Sequence, residues 1–178
     1  MGKLITLIIA SKDFRDEEYF IPKEVFEKEG FKVETVSDKR GVSIGVYGGE
    51  AKAELSLKEV EAERSGAIVF VGGPGALKFL DNEHSYKIVN KAKDEGKVLG
   101  GICVSPVILA NSGAIEGKEA TVYSSSMEKT PVKTLKEKGV FYKEKELVVD
   151  NKVVTANGPE AAEEFARAII KLMKDSGS

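Results

Sequence analysis

The chain has no tryptophan, one cysteine and one histidine among its 178 residues. A single cysteine cannot close an internal disulfide, and one Cys with one His cannot build a zinc site of the usual kind. No metal and no cofactor motif are expected, and a reducing, cytoplasmic location follows as the default. No apolar stretch reaches the roughly 18 residues that a membrane-crossing helix needs. The start, Met1–Ala10, carries one lysine and then an apolar run, with no small-residue cleavage site, and Lys12, Asp13 and Arg15 follow at once. It reads as a buried strand and not as a signal peptide. No basic run stands out either: 27 Lys and Arg are intermixed with 29 Asp and Glu, for a net charge of -2. Nucleic acid and membrane are therefore not expected as partners.

What is present suits a globular chain, with 42% apolar and 31% charged residues. The length fits one well-buried domain over 1–178. Leu4–Ala10, Phe31–Val36, Ala67–Val71 and Val98–Ile102 read as strands, most of them apolar throughout, as in a sheet covered on both faces. Between them, Glu17–Glu29, Ser85–Lys93, Val104–Asn111 and Pro131–Lys138 carry helical patterns, and Glu160–Lys174 closes the chain as an amphipathic helix behind Pro159. Val42–Tyr47 and Ala51–Leu57 flank Gly48, Gly49 and Glu50 and read as an inserted hairpin. Ala120–Tyr123, Tyr142–Asp150 and Lys152–Ala156 are further strands, the last two paired through Asn151. Ser176–Ser178 are expected to fray. The alternation predicts an α/β fold, a three-layer αβα sandwich with a mostly parallel, flavodoxin-like sheet. Sites in such sheets form beyond the carboxyl ends of the strands. The loops after Ala10, Val71 and Ile102 meet that rule.

Gly101-Ile102-Cys103-Val104-Ser105 has the form of a nucleophile elbow with cysteine in the nucleophile's place. A strand that turns into a helix within so few residues forces a strained backbone at the nucleophile. Small neighbours two positions away leave room for it. A sulfur there meets free N–H groups at a helix start, which favour the thiolate. The plain alternative is a small core hydrophobe between Ile102 and Val104. Gly72-Gly73-Pro74-Gly75 also has two readings. Glycine lets backbone approach a ligand and turns an N–H toward a developing oxyanion, or it serves a strand-to-helix turn.

The order of these elements, the Gly72-Gly73 turn and the Ile102-Cys103 elbow together resemble the DJ-1/PfpI superfamily, in its PfpI-type branch, with a class I glutamine amidotransferase-like fold. Phe14-Arg15-Asp16-Glu17-Glu18 resembles the family's acidic segment, and Arg40-Gly41 before the hairpin resembles the PfpI-type insertion. Val69–Ala76 and Gly101-Ile102-Cys103 with Pro106 complete the likeness. The resemblance implies that Cys103 is the nucleophile and that Glu18 lies beside it as a proton donor. It implies an oxyanion hole from the backbone N–H groups of Gly73 and Val104. It also implies a homo-oligomer, dimer or larger. On sequence alone, Glu18 reads as a solvated carboxylate at a helix start, and the resemblance reverses that reading.

The departures bear on chemistry. The histidine that follows the cysteine in PfpI-type proteases is Val104 here, and the histidine that other members bring from the next strand corresponds to Tyr123. Tyr123 is a candidate hydrogen-bond partner for substrate or sulfur, or a packed strand-end aromatic. The sole histidine, His84, reads as a surface residue. Two functions stay open. One is a cysteine-dependent intracellular enzyme acting on small carbonyl, amide or peptide substrates, in the manner of a protease, amidase, glyoxalase or deglycase. The other is a redox sensor or stress-protective protein that works through oxidation of Cys103 and needs no base.

Overall fold

The computed structural model describes residues 3–176. The first strand, β1 (Leu4–Ile9), is followed by a short β2 (Lys12–Phe14), helix α1 (Asp16–Lys28) and β3 (Lys32–Ser37). Then come β4 (Gly41–Gly45), β5 (Glu50–Ala53), β6 (Leu55–Ser56), β7 (Ala67–Phe70), α2 (Ala76–Phe79) and α3 (Glu83–Asp94). The second half runs through β8 (Val98–Ile102), α4 (Pro106–Asn111), β9 (Glu119–Ala120), α5 (Thr130–Glu137) and β10 (Phe141–Tyr142). Strands β11 (Leu147–Asp150) and β12 (Val153–Ala156) and helix α6 (Ala162–Ser176) close it.

Seven strands form the main sheet in the order β11-β12-β8-β7-β1-β3-β6. Neighbours run parallel from β12 to β6, and β11 lies antiparallel to β12 through the turn at Asn151. The side chains of each strand alternate between the two faces. Ile8, Val36, Ile68, Phe70 and Leu99 pack with α3, α4 and α5. Ile5, Leu7, Ile9, Val69, Val98 and Ile102 pack with α1 and α6. The result is the expected three-layer sandwich. Burying a side chain such as Phe26, Phe70 or Phe165 fully contributes about 2 kcal/mol each. Among the described residues, no helix is long and apolar enough to cross a membrane.

Several local expectations change. The second arm of the hairpin is β5 alone, paired antiparallel with β4. The chain then leaves it, because the Glu54 N–H donates to the Thr35 carbonyl at 2.9 Å and β6 joins the edge of β3. Residues 12–14, which carry no strand pattern, pair with β4 as β2 and make a small three-stranded sheet. The run Ala120–Tyr123 holds only the short β9, paired with β10, and the expected strand Tyr142–Asp150 is broken into β10 and β11. Ser176 closes α6 rather than fraying, while 177 and 178 lie outside the described residues.

Helix α1 carries two of the residues that matter most. Its first turn holds Asp16, Glu17 and Glu18, which suits the positive end of the helix dipole. Yet Asp16 and Glu18 are buried, and each carboxylate serves a neighbour instead. Asp16 accepts the N–H groups of Tyr47 at 2.9 Å and Gly49 at 2.8 Å, which fixes the tip of the β4–β5 hairpin against the helix start.

Candidate active site

The site lies where β8, β7 and β1, adjacent in the sheet, end together. Their loops supply Cys103, the Gly72-Gly73 turn and the segment from Lys12 to Arg15. Cys103 has φ 65, a left-handed conformation that a side chain with a Cβ rarely takes. The surrounding bonds enforce it. The Cys103 N–H donates to Ala156 of β12 at 2.9 Å, and its carbonyl accepts from the Tyr123 N–H at 2.7 Å. Just after the turn, Ser105 is fully buried. Its hydroxyl donates to the Val71 carbonyl at 2.7 Å, tying the elbow to the end of β7. That bond gives the serine a structural use. The helix expected from Val104 starts only at Pro106.

Gly72 sits between the two reactive groups. A Cβ placed on it would lie 2.5 Å from the Cys103 Cβ and 2.7 Å from Glu18 Oε1. No larger residue fits there without driving the carboxyl and the thiol apart. Gly73, at φ 110, is confined from another side, since its Cβ would lie 2.5 Å from the Arg15 nitrogen. The Arg15 N–H donates to the Gly72 carbonyl at 2.9 Å, so the chain ahead of α1 is stitched onto this turn.

Glu18 is completely buried. Its Oε1 accepts the Gly72 N–H at 2.9 Å. Its Oε2 is buried without a conventional partner, and the carboxyl interacts with the Cys103 thiol. A buried polar atom left this way is unusual and marks a place where a proton can be held. Burial raises the Glu18 pKa to about 7, against the opposing pull of the Gly72 N–H, Cys103 and Arg15. Cys103 is half-buried and free. Burial first, then the Glu18 charge, push its thiol up to about 12, while the N–H groups of Gly73 and Val104 pull it down. The lowered thiol pKa expected of an elbow is therefore opposed here by burial and by an ionised neighbour. It depends on where the pair keeps its proton. A proton on Glu18 removes the repulsion and turns the carboxyl into a donor toward sulfur.

The structure thus gathers Glu18, Gly73 and Val104 around Cys103. For Tyr123 it records a backbone contact. His84 stands exposed at the start of α3, where the Asn82 side chain caps its N–H, and takes no part. Among the described residues, no group of three or more His, Cys, Asp or Glu is placed to hold a metal ion. Sequence reasoning passes over Asp16, Ser105 and the Arg15 side chain. Arg15 binds Glu17 through Nε at 2.6 Å and lies 5.1 Å from the centre of the Tyr47 ring. Only tertiary contacts single these residues out.

The chain matches known proteins over nearly its whole length. The family model described as "DJ-1/PfpI family" matches residues 3–172. A deglycase of Pyrococcus abyssi is 30% identical over 168 residues, 94% of this chain and 98% of its own. The deglycase PfpI of Pyrococcus furiosus is 29% identical over the same shares of the two chains. The crystal structure of a ThiJ/PfpI domain protein from Brachyspira murdochii superposes with a TM-score of 0.90 at 29% identity, covering 98% of each chain. With its strained cysteine at the sheet's carboxyl edge and a family match across nearly its whole length, this chain belongs to the DJ-1/PfpI family.

Proposed function

We propose that the protein is a cysteine-dependent enzyme acting on small carbonyl compounds, with Cys103 as nucleophile and Glu18 as its proton carrier. The observation that supports this reading most is the buried Glu18 carboxyl facing Cys103, with one oxygen left unpartnered. In the first step the Cys103 sulfur adds to an aldehyde or ketone carbon. A C–S bond forms, the carbonyl π pair moves to oxygen, and the oxyanion is met by the N–H groups of Gly73 and Val104. The proton held by Glu18 then passes to that oxygen, giving a hemithioacetal and a carboxylate. For a 2-oxoaldehyde, the Glu18 carboxylate then takes the proton from the former aldehyde carbon and returns it to the adjacent carbon, leaving a 2-hydroxyacyl thioester on Cys103; water breaks that C–S bond, giving the 2-hydroxy acid and the free thiol. Addition and the proton shift each move one proton, and Glu18 carries it in both.

The same inventory weighs against peptide hydrolysis. That reaction asks for a base to activate the thiol and an acid for the leaving amine, and the residue after the nucleophile is Val104. The names of the Pyrococcus relatives, both deglycases, favour carbonyl chemistry as well. Homo-oligomer assembly and a cytoplasmic setting travel with this reading, and sedimentation velocity tests the former.

The test is turnover of methylglyoxal beside a panel of peptides and amides, by the wild type and by Cys103→Ser. Aldehyde turnover that vanishes in Cys103→Ser supports the proposal. Peptide cleavage without aldehyde turnover overturns it. The redox-sensor alternative predicts instead that mild peroxide adds one or two oxygens to Cys103 before any methionine, with no turnover of either class.

A further inference from the structure

Arg15 borders the candidate oxyanion hole through its backbone, and its charge acts on Glu18. Its backbone N–H is bonded to Gly72 and its nitrogen fills the space where Gly73 would carry a side chain. The neighbouring Gly73 N–H faces the Cys103 sulfur. The guanidinium is held from two sides. Glu17 Oε2 accepts from Nε at 2.6 Å, and the Tyr47 ring lies 5.1 Å away. Tyr47 is itself anchored, because its N–H is taken by Asp16. A planar guanidinium fixed through Nε and an aromatic face presents its terminal amino groups as a ready fork for a carboxylate. The side chain is 33% exposed, so a ligand can reach it. Two acids border it. Glu17 is already paired with it, and Glu18 is inclined by burial to hold a proton near neutrality.

We propose that Arg15 is an anion-binding residue at the mouth of the site, and that the preferred carbonyl substrates are 2-oxoaldehydes that carry an anionic group beyond the dicarbonyl unit. The inference rests on the carbonyl-addition reading above, which it narrows to 2-oxoaldehydes with an anionic tail. It assigns Arg15 to binding and orientation. The proton transfers stay with Glu18. The residue is not needed for the fold: its exposed pair with Glu17 contributes little to stability.

The experiment compares alkylation of Cys103 by iodoacetate and by iodoacetamide, which differ by one negative charge. Rates are read by intact mass at about 0.15 M salt, where distant charges are screened. In the wild type the iodoacetate-to-iodoacetamide ratio should exceed that of a small free thiol. It should fall about fivefold in Arg15→Gln, the loss of one charge-assisted contact. Arg15→Lys should keep part of it. Arg167→Gln, a remote surface change of the same charge on α6, should keep all of it. A ratio equal in all four proteins, with Cys103 still reactive, overturns the Arg15 assignment and leaves the proposed function standing. A thiol inert to both reagents overturns the two together.

Discussion

Glu18, in the first turn of α1, and Cys103, at the end of β8, meet across Gly72. The carboxyl is wholly buried and the thiol half-buried. Such a pair does not readily hold two negative charges, so its protons leave in two well-separated steps. The one-proton state exists in two forms: thiol with carboxylate, or thiolate with carboxylic acid. Only the second is nucleophilic, and the N–H groups of Gly73 and Val104 favour it.

Replacement of Glu18 by Gln keeps the shape and removes the proton. We expect turnover to drop by about 10²-fold or more, the usual worth of a positioned general acid–base group. Cys103→Ser should leave no measurable activity. Steady-state kinetics on methylglyoxal decides. A Gln variant within a factor of two of the wild type would show that Glu18 is not the proton carrier.

The same carboxyl should imprint the pH dependence of stability. Its folded pKa of about 7 lies above the ordinary carboxylate value, so the folded state binds its proton more tightly than the unfolded state. Stability from this group is full at pH below the ordinary value and is lost as pH rises toward 7. The integrated effect is roughly 2–4 kcal/mol. Glu18→Gln has no such slope, so its stability relative to wild type should grow between pH 4.5 and pH 7. Urea unfolding of both proteins across this range measures it. Parallel curves would mean that burial does not raise this carboxyl.

Gly72→Ala tests the steric argument. The new methyl would meet Cys103, Glu18 and the Ile102 carbonyl within 2.7 Å. Overpacking of this kind costs about 1–3 kcal/mol. Because the carboxyl and thiol must part, activity should fall further than stability does. An alanine variant with wild-type kinetics would contradict the close approach.

Asp16 is the pin of the hairpin. Asp16→Ala leaves the Tyr47 and Gly49 N–H groups without their acceptors. The expected loss is about 1–2 kcal/mol, with faster hydrogen exchange at those two amides. Exchange unchanged there would show that the turn holds itself.

Much of this arrangement is readable from sequence because the central strands are nearly pure apolar runs. Leu4–Ile9, Ala67–Phe70 and Val98–Ile102 are buried almost throughout, and period and burial agree there. The elbow is readable for the same reason: a small-residue frame around Cys103 follows such a strand. Strand β2 is not. Its Lys-Asp-Phe has no pattern of its own and is a strand only because β4 lies beside it. Nor is the departure of the chain from the hairpin after Ala53, which depends on a bond to Thr35. Asp16, Ser105 and Arg15 look like ordinary polar residues until the fold brings them to Tyr47, Val71 and Gly72. All three meetings join segments that the sequence keeps well apart.

The most direct measurement is the rate of Cys103 alkylation by iodoacetamide from pH 5 to pH 10, read by intact mass. A free thiol would rise with a midpoint near 8.5. If Glu18 and Cys103 share a proton, the rate should rise with a midpoint near or below about 7 and then hold a plateau. The second proton, opposed by the first charge, leaves only near 12. In Glu18→Gln that early step should disappear. A wild-type rate that climbs without a plateau to the top of the range, or a thiol that never reacts, would mean that Cys103 is a buried structural residue and that the proposed chemistry does not run through it.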